Sequence, residues 1–409
     1  MSEQLLNQPR ARQLMEREGV DGLLAATFEN VYYLSNVWME NFFVLPRQTQ
    51  GFAIVARDTL ARPIVVASIG EVANYAESAV ADCTLITYGQ FYRFVNEHAQ
   101  LSAGESTVKD RVIDHPDRSR SNVIEALASG LQEAGLTRAT VAYDERGLFI
   151  ETFAALQQRL PDVKFIPGYQ LLRRIRAVKT AEELRRLEAV LRVNEGAMLA
   201  AMKVARPGVT EQDMIEEFER YVVSRGAKVM FTQIAFGPRG GQGYVMKRDA
   251  VLSEGEVIRF DVGCMLDGYN TDIARNFSIG EPDERCIRYF DATVAGIDAA
   301  AAAMQPGATA AEVFHAAVAA VRENGIPQFA RTHVGHGIGL EVYDIPLLAP
   351  TDKTPIEDGM VLQIETPYYE LGWAGIQPED TVVATSSGGT NLTSLSRKFE
   401  VVNPAQRPK

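Results

Sequence analysis

Disulfide-forming cysteine, long apolar runs and a basic surface are all missing from this chain of 409 residues. Its three cysteines, Cys83, Cys264 and Cys286, cannot build a disulfide framework, and they point to a reducing compartment or to no dependence on disulfides. No run of about 18 consecutive apolar residues occurs, so no transmembrane helix is expected. The alanine run from Ala299 to Ala303 is too short and sits in a helical pattern. The opening stretch MSEQLLNQPRARQLMEREG is charged throughout with no apolar centre, so it does not read as a signal peptide. Lys plus Arg number 41 against 53 Asp plus Glu, a formal net charge of −12. That balance argues against nucleic-acid binding by phosphate neutralisation. With 46% hydrophobic residues the chain can bury a sizeable core, and disorder as its main state is excluded. A soluble cytoplasmic protein of more than one domain is the expectation.

The first third alternates between short strands and helices. Apolar runs at Asp21–Ala26, Gly51–Ala56, Pro63–Ser68, Thr84–Tyr88, Ala139–Tyr143 and Val163–Ile166 are bounded by turn-forming residues and read as strands. Helices are expected over Leu5–Glu18, from an N-cap at Ser121 to Gly135, and over Glu151–Leu160. The polar segment Glu105–Arg120 has no clear period and reads as a surface loop. A long helical pattern follows Thr180, with Glu182 and Glu183 in its first turn, where acids suit the helix dipole. The boundary falls near residue 175, giving domains 1–175 and 176–409. The second part contains a weak repeat: Arg206-Pro207-Gly208-Val209-Thr210 matches Gln305-Pro306-Gly307-Ala308-Thr309. Each copy opens an amphipathic stretch, and these end at Gly226 and Gly325, the same interval after the proline. Common helix-start signals could produce this by chance; a duplicated α/β half with a cleft between the copies is the alternative.

Acids interrupt several apolar strands of this second part. Val257–Gly263 carries Asp261, the dipeptide Asp267-Gly268 turns the chain, and the return strand carries Asp272. A tight turn places the two aspartates opposite or diagonal, so they share a face and repel unless a cation lies between them. A satisfied or solvated pair of acids on an exposed face is the alternative, but Val257, Ile258, Phe260 and Val262 make these strands look buried. Two of the chain's five histidines, His333 and His336, lie among glycines, which let backbone approach a site closely. Glu365 ends an apolar strand, and Glu379 sits inside another. Each alone is weak. Together, two Asp, one His and two Glu supply hard oxygen ligands and one imidazole, a set suited to a pair of Mn²⁺, Co²⁺ or Zn²⁺ ions, with Mn²⁺ first among them.

The series FDVG, TDIAR, GHGIGLE, IETP and PEDT resembles the metal-binding series of the pita-bread metallopeptidases, which include methionine aminopeptidase, aminopeptidase P, prolidase and creatinase. The N-terminal DGLLAATFENVYYLSNV and the linker LLRRIRAVKTAEELRRLEAV resemble the creatinase/prolidase branch. The resemblance implies an α+β fold, a pita-bread catalytic domain preceded by a smaller mixed α/β domain. It implies that Asp261 and Asp272 bind one metal, that Asp272 and Glu379 bridge two, and that His336 and Glu365 complete the second. It further implies attack by a hydroxide held between the metals, with Glu365 shuttling a proton to the leaving nitrogen.

Accessory positions depart from the family. The loop Phe236–Tyr244 lacks a histidine, Tyr343 and Thr332 stand where histidines are usual, and Gln377-Pro378 replaces an arginine. Tyr244 and Tyr343 could donate O–H hydrogen bonds to the substrate, His333 could reach the site as a catalytic group, and Arg239 could hold a substrate carboxylate. Ordinary packing or surface roles are the alternative for each. Tyr368, Tyr369 and Trp373 could line an apolar pocket or pack in the core. The resulting function is a metal-dependent Xaa-Pro dipeptidase, a cytoplasmic homodimer acting on small peptides. The runner-up is a related hydrolase or lyase acting on a small non-peptide compound, of the creatinase, ectoine hydrolase or sulfonium lyase kind. A silent binding protein on the same fold is the third, and it sits poorly with a complete ligand set.

Overall fold

The computed structural model describes residues 4–78 and 83–403. The predicted domain ends, residues 1–3 and 404–409, lie outside them. The chain divides into two units, Met1–Arg176 and Ala177–Lys409.

The first unit is built on one mixed sheet. Its strands are β1 (Gly22–Ala25), β2 (Phe52–Ala56), β3 (Ile64–Ser68), β4 (Thr84–Tyr88), β5 (Thr140–Tyr143) and β6 (Lys164–Pro167), in the order β4-β3-β2-β1-β5-β6. Their β-branched and leucine side chains, such as Leu24, Ile54, Val66 and Val141, pack against Ala126, Leu127 and Leu131 of the helix Val123–Glu133. The cap of that helix lies one residue later than predicted. The carboxamide of Asn122 accepts the amides of Ile124 and Glu125, whereas Ser121 stays outside. The segment expected to be a loop instead holds a helix, Ala103–Val108, started by a capping box between Ser102 and Glu105 and continued by a π-helical turn over Lys109–Asp114.

The second unit shows the duplication in its bonding. Helices Ala181–Val204 and Glu211–Ser224 form one pair, Glu284–Ala303 and Ala310–Glu323 the other. Thr210 and Thr309 cap the second helix of each pair with the same capping box. Gly208 and Gly307 both adopt φ 93°, open to them because they lack a Cβ. Their amides donate to Leu252 and Ile356 at 2.9 Å in each copy.

Against these pairs lie two sheets. The first contains β7 (Lys228–Phe236), β8 (Val257–Leu266), β9 (Tyr269–Asn270) and β10 (Ile273–Ile279). The second contains β11 (Gly335–Gly337), β12 (Asp344–Leu347), β13 (Val361–Glu365), and, beyond the small hairpin β14 (Tyr368–Glu370) and β15 (Ala374–Ile376), β16 (Glu379–Thr385) and β17 (Gly388–Asn391). A last strand, β18 (Glu400–Val402), joins the edge of β10, so the sheet orders are β18-β10-β8-β7 and β12-β11-β13-β16-β17. The core of the second half joins Val313, Ala317 and Val321 of one helix to Leu362, Ile364 and Val382 of the sheet. Among the described residues, no helix is long and apolar enough to cross a membrane.

Candidate metal centre

Asp261 sits on β8, which is buried along nearly its whole length. Asp267 and Gly268, at φ 50° and 84°, turn the chain back in the left-handed conformations a two-residue hairpin needs. The return strand is not continuous. It breaks at Thr271 and Asp272 between β9 and β10, which places Asp272 two positions from Ala274, the partner of Asp261. The break is held from beneath. Thr271 Oγ1 accepts from the Cys264 amide at 3.0 Å and from Asn194 Nδ2, on the helix Ala181–Val204, at 2.8 Å.

The other three acid and imidazole groups come from the second sheet. Glu365 and Glu379 are direct cross-strand partners in β13 and β16. His336 is opposite Gln363 in β11 and β13, two residues from Glu365 and hence on its face. Ligand atoms of Asp272, His336 and Glu379 all lie within 4.8 Å of one another. His336 Nε2 is 3.6 Å from Asp272 Oδ2. Its Nδ1 lies 2.9 Å from the Gly337 carbonyl, which can only accept, so Nδ1 carries a hydrogen and Nε2 is the nitrogen turned to the acids. Asp272 Oδ1, Glu379 Oε1 and His336 Nε2 are buried without a hydrogen-bond partner among the described residues. Buried carboxylates and imidazole left open in this way fit a cation.

Asp261 and Glu365 line the same cavity of about 520 Å³ as Asp272 and Glu379. Burial, then repulsion from Asp272, pushes Asp261 up to about 6. Burial raises Glu365 to about 7 against the pull of Arg331 and His336. Glu379 is lifted well above the carboxylate range by burial and by Asp272 and Glu365. Burial alone would lower His336, but Asp272 and Glu365 raise it. Asp261, Glu365 and Glu379, crowded in a shielded space, hold protons more readily than free carboxylates unless a cation replaces them.

His333, Tyr244 and Tyr343 also face this cavity. His333 Nδ1 is 3.2 Å from Glu365 Oε1, and burial with the neighbouring Arg331 lowers its pKa to about 4, which keeps it neutral. Tyr343 stacks on His336, ring centroids 3.6 Å apart and planes 19° apart. Tyr244 reaches the cavity from a largely exposed position.

Arg239 does not line the cavity. Its guanidinium is committed to Glu211 at 2.9 Å, with Asp249 and the Lys247 carbonyl beside it. Glu211 is buried, so it competes strongly for that cation, which corrects the expectation that Arg239 binds a substrate carboxylate. Of the three aromatic candidates only Tyr369 reaches the cavity; Tyr368 and Trp373 pack edge-on to Tyr289.

Two arginines near the acids were not singled out from the sequence. Arg331 lines the cavity. Arg259 is buried two residues before Asp261, 2.7 Å from Gln377 Oε1 and 3.5 Å from Asp261 Oδ2. An arginine two positions from an aspartate on one strand face was the available signal for Arg259. Arg331 lies in an irregular loop and offered none.

Residues 185–386 match the family model of metallopeptidase family M24, and residues 8–178 match that of the creatinase/prolidase N-terminal domain. The chain belongs to metallopeptidase family M24, in its creatinase/prolidase branch. It is similar to the Xaa-Pro dipeptidase of Pyrococcus furiosus, 29% identical over 56% of this chain, and the match spans 66% of that relative's length. The uncharacterized peptidase YqhT of Bacillus subtilis is 22% identical over 96% of this chain and 99% of its own. Among solved structures, the Xaa-Pro dipeptidase from Bacillus anthracis superposes with a TM-score of 0.75 at 22% identity, covering 97% of this chain and 99% of that one. The dipeptidase from Pyrococcus horikoshii OT3 gives 0.76 at 19% identity, covering 97% and 99%. The M24 two-domain pita-bread architecture, with mixed helix and sheet, is thus the fold of this chain.

Proposed function

We propose that this M24 protein is an Xaa-Pro dipeptidase, hydrolysing the amide bond before proline at a centre of two divalent cations. One observation carries most weight: Asp272, His336 and Glu379 converge with buried, unpartnered ligand atoms in a cavity that Asp261 and Glu365 also line. The name Xaa-Pro dipeptidase carried by several relatives adds support. Asp261, Asp272, His336, Glu365 and Glu379 would hold the ions. When bound, two such cations supply Lewis acidity that ionises water near neutral pH and polarises a carbonyl.

The side chains divide the remaining tasks. Glu365, which faces the cavity from the end of β13, passes a proton to the leaving nitrogen. Neutral His333, its Nδ1 3.2 Å from Glu365 Oε1, stands beside that carboxyl and bounds the space in which it moves. Tyr343 and Tyr244 present hydroxyls to the substrate where the family's histidines are missing. Mn²⁺ as the resident ion, a homodimer and a cytoplasmic setting belong to the same proposal. The missing histidines favour the second reading, hydrolysis or lysis of a small non-peptide compound.

Proline release from a panel of Xaa-Pro dipeptides and matching tripeptides tests it, with metal-free protein and added Mn²⁺, Co²⁺ or Zn²⁺ and an Asp272→Asn control. Metal-dependent release from dipeptides alone, lost in the control, is expected. No release with two metals bound per chain defeats the reading in favour of the second.

A further inference from the structure

Tyr244 faces the cavity but is 78% exposed, so packing does little to fix its ring. Its placement has to come from the backbone on either side, and both neighbours are gripped. The Gly243 carbonyl accepts from Arg259 Nη2, and the Val245 amide donates to Gln233 Oε1 at 2.8 Å. Arg259 lies on β8 and Gln233 on β7, where Gln233 is the cross-strand partner of Asp261. The loop before Tyr244 is anchored as well. A Cβ on Gly241 would run into the Glu370 carbonyl, and one on Gly375 into the Gly240 carbonyl, so the loop lies backbone to backbone on the β14–β15 hairpin. Gly243 then turns the chain at φ 75°.

Arg259 is 1% exposed and lies behind the cavity lining. Its guanidinium is shared between two walls. Besides Gly243, Nη1 donates to Gln377 Oε1 at 2.7 Å, an oxygen that also accepts from Tyr369 Oη at 2.8 Å. The approach to Asp261 Oδ2 is longer, 3.5 Å. A committed guanidinium–carboxylate bond is about 2.7–2.9 Å, so Arg259 is spent on the walls more than on the acid. The rigid fork of Arg serves two directions at once, which the point charge of Lys cannot.

We infer that Arg259 and Gln233 are positioning residues that bracket Tyr244 and hold its hydroxyl over the cavity. Recognition of substrate by this exposed side chain then depends on two groups that act through the backbone on either side of it. That the hydroxyl meets a peptide substrate rests on the Xaa-Pro reading; that the bracket holds the loop does not.

The test uses the full chain, metal-loaded, as wild type, Arg259→Met, Arg259→Lys, Gln233→Met, Tyr244→Ala, and the doubles that join Tyr244→Ala to Arg259→Met or Gln233→Met. The readouts are kcat and KM on an Xaa-Pro dipeptide, metal content, Tm, and hydrogen exchange of the Val245 amide. Arg259→Met and Gln233→Met are each expected to raise KM roughly tenfold, the scale of one lost hydrogen bond, with a smaller change in kcat. Both keep their metal and exchange the Val245 amide faster than the wild type. Arg259→Lys recovers part of the KM. In the Tyr244→Ala background neither substitution raises KM further, because the group it positions is gone. Gln233→Met carries the test on its own should Arg259→Met fail to fold. Effects that add in full to Tyr244→Ala overturn the proposal. So does loss of metal in Arg259→Met with Gln233→Met at wild-type values, since Arg259 would then serve Asp261 instead. If the wild type cleaves no Xaa-Pro dipeptide, the Xaa-Pro reading falls and exchange decides: faster Val245 exchange in both variants sustains the bracket, and unchanged exchange overturns it.

Discussion

Glu365 and Glu379 stand directly opposite each other in the ladder between β13 and β16, and both are buried. Carboxylates so placed repel when both are ionised. The metal-free protein answers by holding protons: Glu365 titrates at about 7 and Asp261 at about 6, whereas their unfolded values lie at 4.5 and 3.8. Between the two sets of values the folded state binds more protons than the unfolded one. Its stability therefore falls as pH rises through about 4 to 7. Thermal unfolding of chelator-treated protein should show Tm declining across that range, with Glu379→Gln flattening the decline. A metal-free Tm that rises from about pH 4 to 7 contradicts this account of the site.

The same protons must leave when a cation enters. Metal affinity should weaken as pH drops through about 7 and then about 6, by roughly tenfold per pH unit for each proton displaced. Calorimetry of Mn²⁺ binding in buffers of different ionisation enthalpy counts those protons. Binding that releases none at pH 6.5 would show that the acids are already ionised.

Tyr343 lies face to face with His336, and its two contributions can be separated. Tyr343→Phe keeps the stacked ring and removes the hydroxyl. It should leave metal affinity unchanged and lower kcat by roughly 10- to 100-fold if that hydroxyl steadies the reacting carbonyl. Tyr343→Ala removes the ring that fixes the imidazole and should weaken metal binding by roughly 10- to 100-fold as well. Equal metal affinities in both variants would mean that the ring does not orient His336.

How legible the site was depended on what surrounds each residue. An acid inside VIRFDVG or VLQIETP is visible in the sequence because a buried carboxylate needs a partner, and the structure gathers Asp261 and Glu365 at one cavity. The repeat was visible because proline, glycine and a capping threonine are local signals, and Thr210 and Thr309 carry matching caps. Arg331 was not visible, since its meaning comes from Glu365 in another strand. Arg239 looked available for the opposite reason. Its partner Glu211 opens a helix, where an acid is already explained by the dipole. Ser121 and Asn122 are both good caps, and only backbone geometry separates them.

Behind Glu379 lies a second buried charge pair. Asp380 Oδ1 is 2.6 Å from Arg275 Nη2, and its other oxygen is 2.6 Å from Arg397 Nε. Asp380 and Arg275 are fully buried, and Arg275 also donates to the Glu379 carbonyl, so the pair fixes the strand that carries the ligand. Asp380→Ala strands a buried guanidinium and should cost about 3–5 kcal/mol in urea unfolding. Replacing both partners, Asp380→Leu with Arg275→Met, should recover much of that loss. A double variant no more stable than Asp380→Ala would mean that the charges themselves stabilise the fold.

The duplicated halves make a final prediction, because the same cap has been built twice. Thr210 Oγ1 accepts the Asp213 amide at 3.1 Å, and Thr309 Oγ1 accepts the Glu312 amide at 3.2 Å. Each acid reaches back to its threonine amide, at 2.8 and 2.7 Å. Both threonines are only half-buried and their cap hydrogen bonds face solvent, so neither variant leaves an enclosed cavity behind. Thr210→Ala and Thr309→Ala should therefore each cost about 1 kcal/mol. The two caps belong to different helix pairs with no shared partner, so the double variant should lose the sum within about 0.5 kcal/mol. A single cap carrying the whole effect would mean that one half is held by its packing and the other by its local signals, a functional divergence between copies that bond alike.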